Sequence, residues 1–435
     1  MSMSNHNTFL IKGADLVGGG RQDLLIKDGV LAAVGKAAPK GATVVDADGL
    51  VALPGLVDLH THLREPGRED AETVSTGSAA AAAGGFTAVL AMANTSPVTD
   101  TAEAAERVFD LGRACGLVDV QPVGAVSKGL AGESLAELGL MARSRAGVRV
   151  FSDDGKCVHD ARLMRRALEY VKAFGGVVSQ HAQEPRLADG AACCHEGELS
   201  GRLGLPGWPG VAEDVIVARD IMLARHTGSR VHIAHVSTAG SVEVIRWAKA
   251  QGTAVTAEVT PHHLMLSTSR LEDYDPTYKV NPPLRPDEDI EQLRTALADG
   301  TIDAVATDHA PHARHDKEHA FAEAAFGMLG LEQALQVVNT VMVQPGLMTW
   351  QQVADAMSVR PAEIAGLAGH GRPLAVGEPA NLTLIDPSAT VEVDAAQSHS
   401  LSRNNPWHGE KLIGQVQATF LRGRATLLDQ EVITA

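Results

Sequence analysis

The sequence predicts an α/β protein: a (β/α)8 TIM-like barrel with a small composite β-sandwich domain formed by the N- and C-terminal segments. Three observations predict it. Eight short apolar, β-branched runs recur through the middle of the chain, most of them followed by a helix-like stretch. Polar residues able to do chemistry fall at the ends of those runs. Both ends of the chain read instead as short strands broken by Gly, Pro and Asp.

The elements follow in order. "TFLIKGADLV", "DLLIKDGVLAAVG" and "ATVVDADGLVALPG" alternate or run apolar, as strands do. The eight central runs are "LVDLHTH", "FTAVLAMAN", "VDVQPVGAVS", "VRVFSDDG", "GVVSQHAQ", "RVHIAHVS", "AVTAEVTPHH" and "IDAVATDHAPH". Helices are expected between them, over 160–175, 240–252 and 287–300 among others. Eight strand–helix units in about 300 residues match a (β/α)8 barrel. "NLTLID", "LIGQVQATFLRG" and "RATLLD" return to a strand pattern. The expected division is therefore 1–53 and 369–435 for the two parts of the β domain, with 54–368 as the barrel.

Composition narrows the function. The chain has 435 residues, 45% apolar and 21% charged, enough to bury a large core. A net charge of -16 argues against non-specific nucleic-acid binding and against an anionic membrane surface. An anionic substrate must then be caught by local cations. The four cysteines, Cys115, Cys157, Cys193 and Cys194, form neither a zinc-finger spacing nor a disulfide framework, so a cytoplasmic setting is expected. The start, "MSMSNHNTFLIKG", lacks the basic-then-apolar pattern of a secretory leader.

The run ends carry the chemistry. In a (β/α)8 barrel the strand C-terminal ends meet at one mouth, so residues distant in sequence become neighbours. Run one ends in His60 and His62, run two in Asn94, run four in Asp153 and Asp154. Run five ends in His181, run six in His235, run eight in Asp308. His60 and His62 share a face of their strand, about 7 Å apart along it, close enough to converge on one ion. Either aspartate of "FSDDG" supplies a carboxylate, and Asp-Asp-Gly is also a good turn. Four histidines and two aspartates exceed one tetrahedral zinc with an open position. They suit two metals about 3.5–4 Å apart, bridged by a carboxylate and a water or hydroxide. Zinc fits these donors, as do manganese, cobalt or iron. Asp308 beside that water can accept its proton and pass it to a leaving nitrogen. Arg64 can hold a substrate carboxylate bidentately. Asn94 and Asn281 suit a planar amide, and His312 is a second anion contact. His262 and His263 are expected to support the end of run seven.

"GLVDLHTHLREPG", "FSDDG", "QHAQE", "HIAHVST", "KVNPPLR", "ATDHAPH" and "AAFGMLGLE" together resemble the dihydroorotase branch of the amidohydrolase superfamily. The motifs run from about residue 50 to 332, and the flanking β segments resemble that family's composite domain. The resemblance implies two zinc ions per chain with a bridging hydroxide. His60 and His62 hold the first metal, His181 and His235 the second, Asp154 bridges them, and Asp308 is both ligand and acid/base. Implied substrate contacts are His62, Arg64, Asn94, Asn281, His312 and the backbone around Phe326 and Gly327. The implied reaction is reversible cyclisation of N-carbamoyl-L-aspartate to L-dihydroorotate in de novo pyrimidine synthesis, by a homo-oligomer.

Two departures and two alternatives accompany it. Ala93 stands where the family often has proline before the asparagine. Related hydantoinases and allantoinases, the first alternative, use a carboxylated lysine as the bridge; the nearest lysine here is Lys156, two residues past Asp154. The second alternative is a non-catalytic scaffold subunit for aspartate carbamoyltransferase, which would be expected to have lost ligands. An active chain can also form that complex.

Overall fold

Eight parallel strands sit where the eight apolar runs stand. The computed structural model describes residues 8–35, 39 and 41–434; residues 1–7, part of the stretch read for a leader, lie outside them. Leu56–Thr61, Phe86–Ala91 and Asp119–Pro122 form one parallel sheet in chain order. Val150–Phe151, Val177–Gln180, Val231–Ile233, Val255–Val259 and Ala304–Val305 form a second. These are called the first to eighth strands below. Two isolated parallel bridges join the sheets, Gly124 to Phe151 on one side and Thr61 to His309 on the other.

Every residue of the first and second strands is buried. Parallel strands need that, because helices cover their outer face. The expected helices are present as Ala161–Val171, Ala239–Ala250 and Asp287–Ala298. Asp160 and Thr238 cap the first two, each accepting from a backbone N–H of the first turn. Gly112 shows how close the layers run: a Cβ there would lie 2.4 Å from Val120 Cβ on the third strand. Among the described residues no helix is long and apolar enough to cross a membrane.

The two chain ends meet in one nine-stranded sheet. Phe9–Leu16, Gly20–Lys27, Val30–Val34, Thr43–Asp46 and Val51–Pro54 come from the N-terminal side. Leu382–Glu392, Lys411–Leu421, Arg424–Leu428 and Glu431–Val432 come from the C-terminal side. Leu382–Glu392 runs antiparallel to Val51–Pro54, with Leu382 opposite Pro54. Its core is separate, built on Ile11, Leu24, Ile26, Leu384 and Phe420, and Phe9 packs edge-on to Phe420 at 5.1 Å. Thr383 Oγ1 and Thr419 Oγ1 donate to the carbonyls of Gly85 and Ala82 and tie this sheet to the helix–strand turn before the second strand.

One excursion matters for function. Between Leu382–Glu392 and Lys411–Leu421 the chain leaves the sheet and reaches the segments that follow the first and eighth strands. Leu401 N donates to Glu72, Ser402 Oγ to the Ala71 carbonyl, and Asn404 Nδ2 to the carbonyls of Ala310 and Gly327.

Phe420 joins strands from both termini, so Phe420→Ala should cost about 3–5 kcal/mol of stability. Urea denaturation should show a lower midpoint than for the parent chain.

Candidate metal centre and active site

The C-terminal ends of five strands deliver six acidic and imidazole side chains to one buried point. Asp154 is the hub. Its Oδ1 lies 3.2 Å from His60 Nε2, 3.3 Å from His235 Nε2 and 3.4 Å from His181 Nδ1. Its Oδ2 lies 3.3 Å from His62 Nε2. Asp308 Oδ1 stands 3.1 Å from His62 Nε2 and 3.5 Å from His60 Nε2. All six residues are at least 95% buried. His235 and Asp308 hold positive φ, 33° and 46°, and Arg64 holds 60°. Such strain in non-glycine residues persists only where the surroundings over-determine it.

The donor set fits a metal. His60 Nε2 is buried with no hydrogen-bond partner, although two carboxylate oxygens face it. Its other nitrogen is committed, Nδ1 donating to Glu258 Oε1 at 2.9 Å. In the neutral ring a lone pair is therefore left aimed at the space shared by the carboxylates. At this point two groups have mutually close donor atoms: His60, His62 and Asp308, and His60, Asp154 and His235. His181 joins through Nδ1, 2.9 Å from His235 Nε2, while its Nε2 faces Gln183 Oε1 at 2.9 Å. Burial opposes charge at Asp154, but His60, His181 and His235 hold its carboxyl well below the usual range. Burial likewise opposes charge on His60, and Asp154 with Glu258 pushes its pKa up. An anionic, imidazole-lined cluster of this kind suits a cation.

Asp153 faces elsewhere. Its Oδ1 accepts from Val126 N at 2.8 Å and Ser127 N at 2.9 Å, and Ser127 Oγ donates to Oδ2. It fastens the loop after the third strand. Lys156 is exposed.

The expected substrate contacts lie around the same mouth. Arg64 Nε donates to the Pro311 carbonyl at 2.9 Å, and Nη2 lies 3.3 Å from His312 Nε2. Burial brings the Arg64 pKa down to about 10, so it stays a cation at neutral pH. His312 is pushed down to about 3 by burial and then by Arg64, so it is neutral and donates Nε2–H to the Phe326 carbonyl at 2.6 Å. Asn94 Oδ1 accepts from His62 Nδ1 at 3.0 Å, which orients that imidazole. Asn281 Nδ2 donates to Gln183 Oε1 at 2.9 Å. Gly327 N is already given to the Lys279 carbonyl at 2.9 Å. His263 Nε2 faces the Pro282 carbonyl at 3.2 Å and so supports the loop that carries Asn281.

Comparison with known proteins gives the family. The family described as Dihydro-orotase-like matches residues 49–241. A dihydroorotase from Streptomyces coelicolor is 62% identical over 421 residues, covering 97% of this chain and 98% of that one. A dihydroorotase from Mycobacterium tuberculosis is 57% identical over 426 residues, covering 97% and 99%. The chain belongs to the dihydroorotase family. Among solved structures, an L-hydantoinase (dihydropyrimidinase) from Arthrobacter aurescens has a TM-score of 0.86 at 26% identity, covering 98% of this chain and 97% of that one. The dihydropyrimidinase of Brevibacillus agri has the same score at 24% identity, over 98% and 96%, a likeness of fold. The amidohydrolase fold of these neighbours is the α/β architecture seen here.

Several residues behind this family site escaped the sequence reading. Glu258 receives His60 Nδ1 and also His232 Nε2, at 3.0 Å, while His232 Nδ1 pairs with Thr256 Oγ1 at 2.9 Å. Burial opposes its ionisation, yet His232 and His60 take the Glu258 pKa to about 2. A signal existed: Thr256 and Glu258 are polar at alternate positions of an apolar run, which marks an inward face. Asp58 was also missed. It accepts from Thr307 N at 2.9 Å and His60 N at 3.1 Å, clamping the first strand to the end of the eighth.

Partners that orient a metal ligand are worth about 10- to 100-fold in metal affinity. Glu258→Ala should weaken metal binding by that factor in a competition titration with a chromophoric chelator. Asp154→Ala should lose bound metal outright, whereas Asp153→Ala should retain it and instead lower the melting temperature.

Proposed function

We propose that this chain is a metal-dependent dihydroorotase that reversibly cyclises N-carbamoyl-L-aspartate to L-dihydroorotate in de novo pyrimidine biosynthesis. The observation that carries the reading is Asp154, one carboxylate set against four imidazoles, with Lys156 exposed two residues on. An aspartate at this position favours the dihydroorotase branch over the hydantoinases and allantoinases, whose bridge is a carboxylated lysine. Relatives named dihydroorotase at 57% and 62% identity support the same choice. The complete set of six ligands favours an enzyme over a non-catalytic scaffold subunit for aspartate carbamoyltransferase.

The same reading takes the eight strands as a closed (β/α)8 barrel over 54–368, with the two isolated bridges as its seams. It takes 1–53 and 369–435 as the composite β domain. Two zinc ions would be held, one by His60, His62 and Asp308, the other by His181 and His235, with Asp154 shared. When bound, zinc supplies Lewis acidity that polarises an amide carbonyl and lowers the pKa of water. The free thiols of Cys115, Cys157, Cys193 and Cys194 support a reducing, cytoplasmic setting.

The chain's own groups divide the remaining work. In the hydrolytic direction Asp308 takes a proton from the attacking water and returns it to the ring nitrogen as the C–N bond breaks. Cyclisation runs that transfer in reverse. Arg64 holds the substrate carboxylate, with the neutral His312 beside it. Asn94 presents its amide nitrogen and Asn281 its amide oxygen to the ring, and Phe326 and Gly327 wall it in. Glu258 and Asn94 hold His60 and His62 in the orientation their roles need.

The zinc-loaded chain should interconvert carbamoyl aspartate and dihydroorotate; two bound metals with no turnover would overturn the reading. Asp308→Asn should lower kcat by about 10²- to 10⁴-fold, the worth of a positioned acid/base. Arg64→Met should raise KM for dihydroorotate by about 10- to 100-fold, as loss of a charge-assisted pair does, while metal content stays unchanged.

A further inference from the structure

Lys317 is buried at the mouth, yet no step above uses it. It ends the short helix Arg314–Lys317, and only 7% of it is exposed. Its Nζ donates to three backbone carbonyls: Ala325 at 2.8 Å, Gly327 at 3.0 Å and Lys279 at 3.3 Å. A buried ammonium is unfavourable unless its donors are used, and here each of its three N–H bonds meets an oxygen.

Those oxygens belong to segments that carry expected substrate contacts. Lys279 stands two residues before Asn281, and Ala325 and Gly327 flank Phe326. The helix bearing Lys317 starts two residues after His312. The segments also bond to one another, Gly327 N to the Lys279 carbonyl and His312 Nε2 to the Phe326 carbonyl. The fit is close: at Gly327, with φ 136°, a Cβ would lie 2.7 Å from Ala310 Cβ and 2.9 Å from His312 Nε2.

We propose that Lys317 is a positioning residue for substrate binding, one ammonium that locks the segments bearing Asn281, His312 and Phe326–Gly327 into a single wall of the pocket. The inference rests on the dihydroorotase reading of the site. The charged and titratable groups facing Lys317 are Lys279, Asp275, Asp316 and His312. Lys279 Nζ itself lies 4.3 Å from the Phe326 ring centroid and donates to the Ala322 carbonyl. Burial, and then Lys279, pull the Lys317 pKa down to about 7, against Asp275 and Asp316. Below that pH the ammonium holds three carbonyls. Above it the neutral amine has two N–H bonds for three acceptors, and its lone pair repels the third. The wall therefore loosens as pH rises through about 7.

Steady-state kinetics on the zinc-loaded full chain, over roughly pH 6 to 9, test this. In the parent chain KM for dihydroorotate should rise several-fold above neutrality. Lys317→Met should raise KM about tenfold at pH 6, with kcat within about twofold and metal content equal. Lys317→Arg, charged throughout, should flatten the KM profile. An unchanged KM in Lys317→Met, or the same KM profile in Lys317→Arg as in the parent, overturns the proposal. Should Lys317→Met not fold, the parent and Lys317→Arg profiles decide alone. Absence of turnover in the parent chain instead sinks the dihydroorotase reading itself.

Discussion

Asp154 sets one buried carboxylate against four imidazole nitrogens, and much of the chain serves to keep it there. A charge of this kind is costly in a protein interior unless it is paired and hydrogen-bonded. Four histidines from the first, fifth and sixth strand ends supply the pairing. They can meet only if the parallel strands stay in register, because each of these histidines sits at a strand's C-terminal end. The covering helices, the Asp58 clamp to Thr307 and the bridge from Thr61 to His309 all act on that register.

The supports form two tiers with different chemistry. Nearest the ligands the partners are side chains that fix ring orientation: Glu258 behind His60, Asn94 behind His62, Gln183 behind His181. Each leaves one imidazole nitrogen committed and the other turned toward the shared space. Farther out the partners are backbone carbonyls gathered by a buried donor. Lys317 gathers three, and Asn404 shares that of Gly327 and adds that of Ala310. The first tier orients the imidazoles of the candidate metal site, and the second ties together the backbone segments beside it.

The strands and helices are legible in the sequence where a pattern is local. All eight apolar runs hold strands, and the helices over 160–175, 240–252 and 287–300 appear within a few residues of those limits. Six ligand candidates were legible because a strand end is a recognisable place for a polar residue. Glu258 and His232 were harder to see. They lie inside strands, where the period-two alternation marks a face without saying what packs opposite it. Asn404 left no local signal. It belongs to a stretch between two C-terminal strands, and only the path of the chain brings it to Ala310 and Gly327.

By itself the sequence determined the alternation of strands and helices, and it marked candidate ligands at strand ends with an arginine beside them, because these follow from residue type and spacing along one chain. It left Asp153 and Asp154 as neighbours of equal chemistry. The tertiary structure separated them: alternate side chains leave a strand end in opposite directions, so one meets Val126 and Ser127 and the other meets the histidines. It also decided which buried groups hold the site's shape, since that depends on which strands and loops meet in space, and no spacing along the chain records it.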